Sequence, residues 1–106
     1  MLEIQTLQEA DVQSLKMVRI MHSPELVSMK GLSRFTNINE INLSSNSIEQ
    51  IKGLFTLKQL QVLNLSTNRI TEIDGLRDLK NLKVLILAHN RISSLKNLEQ
   101  IHSPDY

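Results

Sequence analysis

Apolar residues recur along the chain in a pattern that repeats every 22 residues. Three copies run in register over residues 38–48, 60–70 and 82–92, and each reads L-x-x-L-x-L-x-x-N-x-I, with leucine or isoleucine at the aliphatic positions. The central L-x-L alternates inward and outward residues, which is the periodicity of a β-strand. We therefore predict short strands that stack into a parallel sheet, with these side chains pointing inward: Ile41, Leu43, Leu63, Leu65, Leu85 and Leu87.

The segment after each strand has apolar residues at a spacing of three, as at positions 48, 51, 54 and 57. This spacing fits a turn and a short 3₁₀ or helical return on the other side of the sheet. The glycines Gly31, Gly53 and Gly75 recur at the same period, and one further step leads to Asn97. Glycine and asparagine tolerate a positive φ best, so we predict one repeated backbone corner. The Asn and Gly breaks argue against the alternative, an amphipathic helical bundle.

These motifs resemble those of the leucine-rich repeat family. The resemblance covers residues 38–102 without a gap, and a degenerate version extends back to about residue 15. It implies an α/β solenoid with a short parallel sheet on its concave face and 3₁₀ or short helical turns on its convex face. It also implies that Asn46, Asn68 and Asn90 form a ladder of hydrogen bonds with neighbouring backbone. The similarity is closest to the intracellular 22-residue class typified by a regulatory subunit of protein phosphatase 1, which has centrosomal, ciliary and axonemal relatives.

The repeats predict a single domain over residues 1–106. We divide it into an N-terminal cap (1–14), a degenerate repeat (15–37), regular repeats (38–59, 60–81 and 82–102) and a truncated tail (103–106). A capping box at Thr6-x-x-Glu9 favours a cap helix over 7–14, and an edge strand over 2–6 is the alternative. The degenerate repeat has one extra residue near Ser23, so its rung of the asparagine ladder is expected to be missing. The uncapped C-terminal end predicts either a fragment of a longer protein or self-association of two copies end to end.

Composition and charge narrow the function. Leucine and isoleucine dominate the hydrophobic content, while three residues are aromatic, none is cysteine and the net charge is +1. The small identical aliphatic slots account for the scarce aromatics, and a hydrophobic content of 41% argues against disorder. We expect neither a membrane nor a nucleic acid as partner, because no apolar run approaches ~20 residues and the charge is near neutral. The chain start lacks a secretory signal pattern. With no cysteine caps, the resemblance implies a cytoplasmic protein, with the cytoskeleton, centrosome or cilium as the expected setting.

The sequence offers little reactive chemistry. His22, His89 and His102 lie in different contexts without metal-ligand spacing, and neither a nucleophile elbow nor a phosphate loop occurs. We therefore expect no enzymatic activity, no metal and no cofactor.

The outward strand residues are more informative, because aliphatic side chains there cannot fill the core of the solenoid. We predict a protein-docking patch on the concave face formed by Glu40, Asn42, Val62, Asn64, Val84, Ile86, Ala88 and His89. The alternatives are that β-branched residues merely favour strands or that a further segment covers them. The expected function is a non-catalytic protein-interaction module, a scaffold or regulator. Phosphatase regulation, internalin-like adhesion and a purely structural array are its rivals.

Overall fold

In the part of the chain that the structure describes, four short strands form one parallel sheet. The computed structural model describes residues 14–29, 31–94 and 96–97. Its strands are β1 (Met17–Arg19), β2 (Glu40–Asn42), β3 (Val62–Asn64) and β4 (Val84–Ile86), and they lie side by side in chain order. Every neighbouring pair is parallel. The predicted fold class, a repeat solenoid built on a parallel sheet, is therefore confirmed.

The register of the sheet follows the repeat in the sequence. Glu40 pairs with Val62, and Val62 pairs with Val84. The step along the chain from one register partner to the next therefore equals the repeat period in both cases. The first step is longer by one, because Met17 pairs with Glu40. The regular period resumes further on, where the Leu26 carbonyl accepts a hydrogen bond from Ser47 N–H at 2.9 Å. One extra residue therefore lies between β1 and Leu26, as the sequence predicts.

The core is a stack of aliphatic side chains directly behind the sheet. Inward residues are almost fully buried, with Ile41, Leu63 and Leu65 at 0% exposure and Leu85 at 2%. Burying one such side chain stabilises the fold by about 1.5–3 kcal/mol. The identical slots place like residues on like residues, and Phe35 is the one aromatic side chain in the buried core of the described chain. The stack thins beyond β4, where Leu87 is only partly buried.

The return segments run from the strand ends back to the next strand through single turns. Hydrogen bonds from residue i+3 to residue i recur at equivalent places, from Phe35 N–H to the Leu32 carbonyl (3.0 Å), from Leu57 N–H to the Leu54 carbonyl (3.0 Å) and from Leu79 N–H to the Leu76 carbonyl (3.1 Å). Only the first is long enough to form a 3₁₀ helix, Leu32–Arg34, within the described residues. Successive turns explain the apolar spacing of three, because each turn brings its third residue back to the core. The predicted short helices on this side are thus reduced to turns in the other repeats.

Several predicted features lie outside the described residues. They are the cap apart from Ser14, the alternative edge strand over 2–6, the tail 103–106, and Leu95 and Leu98 at the C-terminal end predicted to be uncapped.

Candidate functional site

The outward side chains of the four strands form a continuous surface, which we call the sheet face. The strand register arranges them in columns. One column consists of Met17, Glu40, Val62 and Val84; the next consists of Arg19, Asn42, Asn64 and Ile86. Neighbouring members of a column are about 4.8 Å apart, since that is the spacing of paired strands. The structure therefore brings the predicted patch residues of the strands onto one surface.

Polarity falls along the sheet face from β2 to β4. Glu40, Asn42 and Asn64 are half-buried, and so are Val62 and Val84. Ile86 is 38% exposed on β4, and Ala88 and His89 beyond it are also exposed. The aliphatic part of the face thus lies at β3 and β4.

The charges of the sheet face lie at its other end and pair with each other. Arg19 Nη2 is 3.9 Å from Glu40 Oε2, and the two side chains are 55% and 34% exposed. Arg19 also donates a hydrogen bond to Met17 Sδ at 3.8 Å. A pair this exposed contributes at most about 1 kcal/mol to stability. Its consequence for the surface is that β1 and β2 carry almost no net charge.

Sequence reasoning did not include β1 in the site. Met17 is 46% exposed and Arg19 stands beside Asn42 in the sheet, so both belong to the sheet face. The signal was present in the alternation of residues 17–19. The strand-to-strand distance along the chain is one residue longer from β1 to β2 than between the other strands. Aligning the sequence at the repeat period therefore shifts residues 17–19 by one position relative to the columns.

The asparagines after the strands join neighbouring repeats through their side-chain amides. Asn68 Nδ2 donates to the Leu43 carbonyl of the preceding repeat (2.9 Å) and to the Leu65 carbonyl of its own (3.0 Å). Asn68 Oδ1 accepts from Ile48 N–H at 2.9 Å. Asn46 and Asn90 make the same kinds of contact one repeat earlier and later. Asn68 is 8% exposed, so its amide satisfies buried backbone groups that would otherwise destabilise the fold.

In the first repeat, Ser23 takes the place of the ladder asparagine. Its backbone N–H donates to Asn46 Oδ1 at 2.9 Å, and it forms an isolated parallel bridge with Asn46. The first repeat is therefore joined to its neighbour by the side chain of Asn46 and has no ladder asparagine of its own.

Each repeat contains two backbone corners with positive φ. The first is the predicted corner, with φ of 93° at Gly31, 74° at Gly53, 72° at Gly75 and 71° at Asn97. The second follows the strand and was not predicted; its φ values are 60° at His22, 61° at Ser45, 56° at Thr67 and 60° at His89. His89 is therefore a corner residue whose exposed side chain borders the sheet face.

The described residues form no metal-binding cluster. They contain no group of three His, Asp or Glu side chains able to hold a metal ion. A groove of about 470 Å³ lies between return segments, lined by residues including Val27, Met29, Glu49 and Lys52, and it is separate from the sheet face. Among the helical residues that the structure describes, none belongs to a stretch long and apolar enough to cross a membrane.

Comparison with known proteins identifies relatives of the repeat. A family model described as leucine-rich repeats in two copies matches residues 36–78 and again 58–100, together more than half of the chain. An internalin from Listeria monocytogenes has a similar solved structure, with 30% identity, a TM-score of 0.74, and coverage of 92% of this chain and 31% of its own. A leucine-rich repeat protein of Leptospira interrogans has 23% identity and a TM-score of 0.80, over 95% of this chain and 28% of its own.

The second likeness shows the fold alone, because its identity is low. The chain spans less than a third of the length of either solved relative. A comparison with curated protein sequences finds no match.

Proposed function

Because this chain belongs to the leucine-rich repeat family, we propose that it is a non-catalytic protein-binding module that engages its partner through the sheet face. Proteins with these repeats generally bind other proteins, and the frame of the repeat leaves the outward residues free to vary. The observation that carries the proposal is the exposure of Ile86, at 38%, beside half-buried Val62 and Val84 on the side of the sheet facing away from the core.

Strand propensity alone does not account for these aliphatic residues. β2 forms with Glu40 and Asn42 at its outward positions, so the sheet does not need β-branched residues there. Moreover, Val62 and Val84 are register partners, and Ile86 follows Val84 on the same face of β4, which makes the apolar positions contiguous. A contiguous apolar surface bordered by polar groups is the usual composition of a protein-docking site.

We place the module in the cytoplasm, as a scaffold or regulator in a cytoskeletal, centrosomal or ciliary setting. The support is the absence of cysteine from the sequence and its resemblance to the intracellular 22-residue class. The second candidate is an adhesion fragment, and it is favoured by the 30% identity to a bacterial internalin. Regulation of a phosphatase catalytic subunit is the third candidate and rests on the sequence resemblance alone.

The proposal is tested with a double variant, Val84→Asp with Ile86→Asp. Partner capture from the native cell is measured for the wild type and the variant, and circular dichroism and urea unfolding verify that both are folded. We expect capture to be lost, because two carboxylates would have to be desolvated at the contact. The matched control is Phe55→Asp, which alters an apolar side chain that is 59% exposed in a return segment.

If the folded double variant still captures the partner, the sheet face is not the site. The same wild-type chain also distinguishes between the three candidate functions. A purified phosphatase catalytic subunit that binds directly would favour the regulatory alternative, and capture of a host-cell surface protein would favour adhesion.

A further inference from the structure

Two amide groups on the sheet face are held in one orientation. Asn42 Oδ1 accepts a hydrogen bond from Ser44 N–H at 3.1 Å, and Asn64 Oδ1 accepts one from Ser66 N–H at 3.0 Å. A backbone N–H is only a donor, so the atom facing it must be the amide oxygen. Each amide nitrogen is therefore directed away from its own turn.

These two nitrogens have unused hydrogen-bonding capacity. Within residues 14–29, 31–94 and 96–97, the side-chain hydrogen bonds of Asn42 and Asn64 are those accepted by their Oδ1 atoms, and neither Nδ2 has an acceptor. The two residues are register partners on adjacent strands, about 4.8 Å apart. They form a fixed pair of donor groups on a half-buried surface.

The surroundings of the pair disfavour a charged group in the partner. Ile86 and Val84 adjoin it on the β4 side and would desolvate whatever covers them. On the β1 side, Arg19 is the register neighbour of Asn42, and Glu40 lies two residues before Asn42 on the same face of β2. A cation is excluded from the pair because amide nitrogens offer hydrogens and no lone pair to it. Arg19 already pairs with Glu40 at 3.9 Å, so this end offers no uncompensated charge.

We infer that the partner contributes an uncharged segment that brings carbonyl oxygens to the Asn42 and Asn64 amides and an aliphatic side chain to Val84 and Ile86. This inference rests on the proposed function and adds the chemistry of its partner. The carbonyls come from the partner's main chain or from Asn and Gln side chains. Covering the amides without such acceptors would leave donors buried and unpaired, which weakens binding.

The test begins with a display library of random peptides of about 12 residues, a length sufficient to cross the four strands at ~4.8 Å spacing. Peptides are selected on the wild-type chain and titrated individually by calorimetry. We expect enrichment of Leu, Ile, Val, Asn and Gln, depletion of acidic and basic residues, and dissociation constants that change little with salt, because no ion pair is screened.

The decisive variant is Asn64→Asp. It preserves the side-chain oxygen that accepts from Ser66 N–H and nearly the same shape, but it replaces the donor nitrogen by a charged acceptor. We expect binding to weaken by about tenfold or more, equivalent to about 1.4 kcal/mol or more. Gln50→Ala, at an exposed position in a return segment, is the matched control and should leave binding unchanged.

The outcomes separate this inference from the proposed function. Selected peptides that bind equally well to Ile86→Asp do not use the sheet face, and both proposals fail. Peptides that lose binding to Ile86→Asp but retain full affinity for Asn64→Asp, or that are rich in acidic or basic residues, leave the proposed function standing and overturn the partner chemistry. An unfolding midpoint close to that of the wild type verifies that each variant is folded.

Discussion

The two glycine corners at Gly53 and Gly75 offer a matched pair of substitutions. Both have nearly the same backbone conformation, with φ of 74° and 72°. They differ in what a side chain would meet. A Cβ atom added at Gly53 has nothing within 4 Å, whereas one added at Gly75 would lie 2.5 Å from the Ile51 carbonyl oxygen of the preceding repeat. Comparing the two alanine variants therefore isolates the contact between repeats from the backbone conformation.

The loss in free energy of unfolding has two contributions that both alanine variants share and a third that applies only to Gly75→Ala. Alanine at positive φ costs about 1–2 kcal/mol, and its smaller unfolded-state entropy returns about 0.4–1 kcal/mol. Gly53→Ala should thus destabilise the protein by about 0–1.6 kcal/mol. Gly75→Ala adds an overpacked contact against backbone, typically worth about 1–3 kcal/mol. The predicted total for Gly75→Ala is about 1–4.6 kcal/mol.

The assay is equilibrium urea unfolding of both variants and the wild type at equal protein concentration. A shift of the midpoint with an unchanged slope reports stability directly. Gly75→Ala should unfold at a clearly lower urea concentration than Gly53→Ala. Equal destabilisation of the two variants, within about 0.5 kcal/mol, would refute the contact argument, since additive independent effects agree within that margin.

Three further predictions concern the ladder, the core and the sheet face. Asn68→Ala should destabilise by roughly 2–5 kcal/mol in urea unfolding, because it leaves buried backbone groups of two repeats without partners. Asn90→Ala should cost less, since Asn90 is only partly buried and water can replace the amide. Leu63→Ala should cost about 2–5 kcal/mol by the same measurement, because its side chain is fully buried. Secretion from a eukaryotic host should attach glycans at the two sequons of the sheet face, Asn42–Ser44 and Asn64–Ser66, detected by mass spectrometry, and should abolish peptide binding to this face.

Each of these has a control and a result that would contradict it. If Asn90→Ala destabilises as much as Asn68→Ala, burial does not decide the strength of a rung. Phe55→Ala should change stability by less than about 0.5 kcal/mol because Phe55 is 59% exposed, and a loss similar to that of Leu63→Ala would contradict the assignment of the core. Ser44→Ala combined with Ser66→Ala removes both sequons, so a glycan that persists at Asn42 or Asn64, or a glycosylated chain that still binds, would count against the prediction.

Much of the fold can be read from the 22-residue period. Ile41, Leu63 and Leu85 occupy the centre of each regular strand, because strand alternation and a fixed step together specify both the direction and the neighbour of a side chain. The form of the return segments could not be read from it. An apolar spacing of three suits a 3₁₀ helix and a series of single turns equally, and only the backbone bonds distinguish them.

The sequence predicted which strand residues face away from the core, but it did not predict every feature of the site. The outward columns follow from the alternation, whereas the corner at Ser45, Thr67 and His89 was not foreseen. Those residues differ chemically and none is glycine, so no recurring letter marks the positive φ. The amide orientation of Asn42 was also hidden, because it depends on a bond to Ser44 N–H that the residue types permit but do not require.

The hydrogen bonds that join neighbouring repeats have a consequence for the folding kinetics. Every ladder bond that crosses from one repeat to another connects residues 20–26 positions apart. The entropy of closing a loop rises only with the logarithm of its length, so each rung imposes nearly the same cost, however many repeats precede it. Once two repeats have formed, each further repeat therefore adds at a constant loop-closure cost. Folding should spread along the array like a zipper, and its rate-limiting step should be the formation of the first pair of repeats.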